Sequence, residues 1–147
     1  MCAREPLVAG PGELRYVFPD ARSLAEADLS GLGMPQARKN TLQALARAVL
    51  ENPAWLSPAI STEEAVRQLR SIPGVGEWTA QYIALRALRE SDAFPASDVG
   101  ILRGAARLEG SAVTARDVLA RAEAWRPWRG YAAQYLWTLS GEASAHA

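Results

Sequence analysis

Asp98 sits in the segment FPASDVG, downstream of the glycine-rich stretch LRSIPGVGEWT at 69–79, and Trp78, Tyr82 and Trp137 accompany the two. A carboxylate can stabilise developing positive charge and orient an attacking water. Aromatic faces attract cations. The loop Pro73-Gly74-Val75-Gly76 adds backbone amides that a helix start leaves without intrahelical partners. Such amides suit a phosphate oxygen, and glycine lets a neighbouring chain come close. Each residue also has a plainer reading. Asp98 is well placed to cap a helix beginning at Val99, and the loop is compatible with a simple turn between packed helices. Trp137, on one helical stripe with the small residues Gly130, Ala133 and Gly141, fits an ordinary core as well as a cleft edge. Spacing alone leaves these readings open.

The rest of the composition narrows the chemistry. Cys2 is the only cysteine and His146 the only histidine of 147 residues. Disulfides within the chain, zinc and iron–sulfur centres are thereby excluded, and a Ser-His or Cys-His pair is not expected. Carboxylates, hydroxyls and arginines remain. Sixteen basic and sixteen acidic residues give zero net charge, which argues against a strongly basic nucleic-acid module. It leaves room for binding through backbone amides and a few arginines. No apolar run approaches the ~18 residues of a spanning helix, and the first residues do not read as a signal peptide. A cytoplasmic protein is expected.

The elements that must position these groups read as all-α, about seven helices joined by tight turns. Residues 1–15 read as a disordered or extended start and 16–147 as one helical domain. Ser23 to Glu26 has a capping-box pattern, and Pro35 suits a first helical position. Leu42, Leu45, Ala46, Val49 and Leu50 form one face of a helix reaching about Glu51. After a loop with Pro53 and Pro58, Ser61 to Glu64 gives a second capping box, and this helix must end before Pro73. From Glu77 to about Glu90 the pattern is apolar around most of the circumference, which predicts a central helix. Three more follow: Asp98 to Leu108, Thr114 to Trp125 with Val118, Leu119 and Ala122 inward, and Pro127 or Trp128 to Ser140 with Gly141 as a stop. Trp125, Trp128 and Tyr131 are assigned to packing.

The motif LxxIPGVGxWTAxYIALR with its downstream Pro-x-x-Asp, together with LGMPQARKNTL and WRPWRGYAAQYLW, closely resembles the helix-hairpin-helix (HhH-GPD) DNA glycosylases, of the DNA-3-methyladenine glycosylase II type. The resemblance runs from about residue 4 to the C-terminus. It implies a glycosylase-like helical fold and monofunctional hydrolysis of alkylated purines from double-stranded DNA, with base flipping. Asp98 takes the catalytic position, and Trp78, Tyr82 and Trp137 take the aromatic positions around the extruded base. Gly74, Val75 and Gly76 match the family's phosphate-contacting amides; Thr79, Arg38 and Arg129 are further candidates for contact with the DNA backbone, read from this sequence and not from the resemblance. Backbone carbonyls of Ile72 and Val75 match those that hold a monovalent cation, Na+ or K+; no cofactor is otherwise required.

Bifunctional relatives carry a lysine near the start of the second hairpin helix, where this chain has Glu77 and Trp78; its only lysine is Lys39. The family has further helices upstream, so the chain reads as N-terminally shortened, with self-association expected of the uncovered apolar surface. The competing reading is a truncated, non-catalytic helix-hairpin-helix module that binds DNA. A purely structural helical protein would bind none.

Overall fold

The computed structural model describes residues 16–53 and 61–141, and its regular structure is helical, with seven α-helices and no strand among the described residues. The segment 1–15, Cys2, Pro58 and His146 lie outside the described residues. Contacts gather into two compact units: Met1–Leu56 with Ile72–Gly74, and Ser57–Ser71 with Val75–Ala147.

The first unit contains α1 (Ala21–Glu26) and α2 (Gln36–Glu51), packed against each other. Asp20 caps α1 by accepting from the Ser23 amide at 2.7 Å. The box expected to open at Ser23 therefore begins three residues earlier, with Ser23 as donor to a charged and stronger acceptor. Pro35 is the cap of α2 rather than its first residue. Its extended ψ of 145° lies outside the helix, while its carbonyl accepts from Arg38 and Lys39. Lys39 is buried and donates Nζ to the Ser30 carbonyl at 3.0 Å, which ties the turn before α2 to the helix. Gln43 does the same for the end of α1, donating to the Ala27 carbonyl at 3.0 Å.

The second unit holds α3 (Thr62–Arg70), α4 (Glu77–Arg86), α5 (Val99–Glu109), α6 (Ala115–Ala122), a 3-10 turn (Glu123–Trp125) and α7 (Arg129–Gly141). Ser61 caps α3, and Thr114 forms a reciprocal capping box with Asp117 at the start of α6. The core is Phe94, Ile101, Ala105, Val118, Ala122, Ala133 and Leu136, so α5, α6 and α7 share one apolar interior. Helices α5 and α7 come close at Gly104, where a Cβ would stand 2.1 Å from the Leu136 carbonyl oxygen. Val118 and Ala122 point inward as expected, but Leu119 is exposed; it lies a third of a turn off the 118–122 stripe.

Two sequence expectations about this unit change. Helix α4 buries only Ala80 and Ala84, leaves Trp78 and Tyr82 exposed, and ends at Arg86 rather than near Glu90. Amides of Leu88 and Glu90 turn back to the Ile83 and Ala84 carbonyls, closing the helix early. The apolar circumference was therefore no sign of a central helix: its small residues face inward and its aromatics outward. On α7 the buried face is Arg129, Gly130, Ala133 and Leu136, which leaves Trp128 and Tyr131 outside. They pack edge-on against each other, with centroids 5.8 Å apart, rather than into the core.

Candidate active site

Three helices of the second unit converge on Asp98. The residue caps α5, and its Oδ1 accepts from the amides of Gly100 at 2.9 Å and Ile101 at 3.2 Å. The same oxygen accepts from the indole Nε1 of Trp137 on α7 at 2.6 Å. Oδ2 accepts from the indole Nε1 of Trp78 on α4 at 2.9 Å. Capping and a chemical role do not compete here, because the cap fixes the carboxylate and the indoles aim it. Partial burial pushes the Asp98 carboxyl up, but the donors from Trp137, Trp78, Ile101 and Gly100 together outweigh it and hold it below its ordinary range. At neutral pH the group is an anion held by neutral donors.

Tyr82, one turn beyond Trp78, stacks on that indole with centroids 5.2 Å apart and planes at 21°. It meets Trp137 edge-on at 6.0 Å. Trp78 and Tyr82 remain 41% and 37% exposed, so the aromatic group forms a wall open on one side. The structure thus brings together Asp98 and the three aromatic residues that the sequence singled out with it. What spacing did not reveal is that both tryptophans bind the carboxylate through nitrogen. The available signal was the polar end of each indole, which usually finds a partner when it is partly buried.

The cavity of about 620 Å³ lined by Thr62, Glu63, Arg67, Arg70 and Arg126 does not include Asp98. Its charges largely answer one another, as in the 3.0 Å pair between Arg70 and Glu77.

Gly74 has φ +89° and a Cβ there would stand 2.0 Å from Thr41 Oγ1, which itself lies 3.0 Å from the Pro73 carbonyl oxygen. Both backbone conformation and space demand glycine at this place. Downstream, Gly76 is the N-cap of α4 and supplies no side-chain acceptor. The first-turn amides of α4, Thr79 among them, are thus not covered in the way that Asp20, Ser61, Asp98 and Thr114 cover those of α1, α3, α5 and α6. Glu77 adds a negative charge to that turn, offset by its pair with Arg70.

The chain as a whole is similar to known proteins. A Mycobacterium tuberculosis protein named probable bifunctional transcriptional activator/DNA repair enzyme AlkA is 43% identical over 127 residues, covering 86% of this chain and 25% of that protein. Escherichia coli DNA-3-methyladenine glycosylase 2 is 38% identical over 127 residues, covering 84% of this chain and 43% of that protein. The solved Schizosaccharomyces pombe 3-methyladenine DNA glycosylase Mag1, in complex with abasic DNA, superposes with a TM-score of 0.72 at 27% identity, covering 82% of this chain and 62% of that one. The chain is a homologue of proteins named DNA-3-methyladenine glycosylase. No protein-family model matches it. It spans 25% and 43% of the length of the two curated relatives.

Against this glycosylase framework the two arginines expected at phosphates separate. Arg38, on α2, is exposed. Arg129 is buried and committed elsewhere: Nε and Nη2 each donate to Asp92 at 2.8 Å, and Nη1 donates to Glu123 at 3.1 Å. The guanidinium is buried and spends three of its five N–H donors on carboxylates within the fold, so the expectation of Arg129 as a phosphate contact is corrected. Arg126 joins the same cluster through Asp92, Glu63 and Glu123. Among the described residues no helix is long and apolar enough to cross a membrane.

Proposed function

We propose that the chain hydrolyses the N-glycosidic bond of alkylated purines of the 3-methyladenine kind in double-stranded DNA, releasing the base and leaving an abasic site. The observation that carries the reading is the Asp98 carboxylate, held by two indole N–H groups beside an aromatic wall open to solvent. The names of its relatives, and the abasic DNA bound to one of them, support the same reading.

The damaged nucleotide swings out of the duplex, at an unstacking cost of a few kcal/mol, and its base meets Trp78, Tyr82 and Trp137. An N-alkylated purine is cationic, and each aromatic face attracts it by about 0.5–2 kcal/mol. That charge also makes the base a ready leaving group, so no acid has to protonate it. As the bond between the sugar's anomeric carbon and the base breaks, the electron pair departs with the base. The ionised Asp98 stabilises the positive charge building on the sugar and orients water, whose oxygen bonds to the anomeric carbon as one of its protons passes to solvent. Lys39 Nζ is engaged by the Ser30 carbonyl, which fits a water-using rather than an amine-using enzyme.

Amides of Gly74, Val75, Gly76 and Thr79 hold the DNA backbone, with Arg38 adding charge. Carbonyls of Ile72 and Val75 would hold a monovalent cation; neutral oxygen donors suit such a hard ion, and no chemical step needs it. Action in the cytoplasm, at the nucleoid, follows from the substrate.

The deciding comparison sets the native chain beside Asp98→Asn on methylated duplex DNA, with free purine as the readout. Asn keeps the helix cap, so the fold survives while the charge is lost. Release should fall by about 10²–10³-fold. Equal release from both proteins overturns the role of Asp98. Salt-sensitive DNA binding with no release by either would make the chain a binding module alone.

A further inference from the structure

Gly100 occupies the second position of α5, where glycine is less favourable than alanine and where no positive φ calls for it. A Cβ built there would stand 2.6 Å from Cδ1 and 3.1 Å from Nε1 of Trp137, and 3.1 Å from Asp98 Oδ1. The indole edge thus lies in the volume that any other side chain would fill. Trp137 has little freedom to withdraw, since it packs against the core of α5, α6 and α7 and meets Tyr82 edge-on.

We propose that Gly100 is a positioning residue for the reacting carboxylate: its missing side chain lets the Trp137 indole reach Asp98 Oδ1 across the first turn of α5. The inference rests on reading Asp98 as the group that serves the sugar, but its geometric half stands apart from that reading. In Gly100→Ala the amide that donates to Oδ1 at 2.9 Å is retained, so the helix cap persists. What changes is the approach of the indole. The carboxylate loses one of its two side-chain donors and the restraint on its plane that the pair supplies.

The test follows the Trp137 indole N–H by proton–nitrogen NMR in the full chain, its signal assigned by its disappearance in Trp137→Phe. In Gly100→Ala the resonance should move away from its carboxylate-bonded position and exchange faster with solvent, while that of Trp78 keeps its place. Single-turnover base release should fall about tenfold or more, the size of one charge-assisted hydrogen bond. Affinity for an abasic duplex should be unchanged. The double variant Gly100→Ala/Trp137→Phe should be no slower than Trp137→Phe alone. A folded Gly100→Ala with unaltered indole signal and unaltered release overturns the proposal. Should Gly100→Ala fail to fold, Trp137→Ala, which empties the contested volume, must restore folding; continued failure also overturns it. If the native chain releases no base yet the indole moves in Gly100→Ala, the positioning geometry stands and the excision reading falls.

Discussion

Replacing Trp137 with phenylalanine removes the Nε1 donor from Asp98 while keeping a ring in the core. The bond it deletes is 2.6 Å long and ends on an ionised oxygen, so about 1.5–3 kcal/mol of stability is at stake. The smaller ring also loses packing, which would by itself confuse the result. Titration separates the two. The fold holds the Asp98 carboxyl below its ordinary range, its partial burial being outweighed by Trp137, Trp78 and the two amides. A depressed carboxyl contributes stability that is complete above the unfolded-state pKa and is lost as pH falls through the folded one.

The deficit of Trp137→Phe in urea unfolding should therefore be largest at neutral pH and shrink through the acid range as Asp98 protonates. A residue of lost packing should remain at every pH. Base release by the variant should fall about 10–100-fold, following the lost bond. A deficit of the same size at neutral and acid pH would show that the indole serves the carboxylate as a spacer and not as a donor, and would refute this account of the site.

Trp78→Phe removes the other donor, but from a side chain 41% exposed, so its stability deficit should be smaller than that of Trp137→Phe in the same urea series. Gly74→Ala must adopt φ +89° and displace Thr41; a thermal melt should show a loss of about 1–3 kcal/mol, and retention of native stability would contradict the turn geometry. Asp92→Ala leaves the buried Arg129 guanidinium without its two-pronged partner and should cost about 3–5 kcal/mol in denaturant unfolding. Ile101→Ala opens a hole between α5 and its neighbours and should cost about 2–5 kcal/mol by the same assay, a small loss meaning that the helices close over it.

Helix starts were legible because caps are local: Ser61, Asp98 and Thr114 each sit beside the amides they serve. The same locality misplaced the start of α1 at Ser23, since Asp20, three residues earlier, can also open it and only the path of the chain decides. Which way a helix faces was less legible. Trp78, Tyr82, Trp128 and Tyr131 look like core by hydropathy, yet an aromatic residue can satisfy much of its surface against another aromatic while remaining exposed. Arg129 illustrates the opposite failure. A lone arginine in sequence reads as surface charge, and only the tertiary fold reveals that Asp92 waits for it in the interior.

Two aspartates six residues apart show why the identity of the donor matters. Asp92 receives Nε and Nη2 of Arg129 and a further contact from Arg126, so its charge is cancelled where it stands. Asp98 is held as firmly, yet among the described residues its donors are two indoles and two backbone amides, none of which carries a full charge. Hydrogen bonds of that kind fix geometry and favour ionisation without neutralising the field. An arginine in place of either indole would hold the carboxylate equally well and would offset most of its attraction for a cationic sugar. A site meant only to stabilise the fold gains by such cancellation. One that meets positive charge in a transition state needs an anion anchored by neutral groups, and this is the difference between the two aspartates.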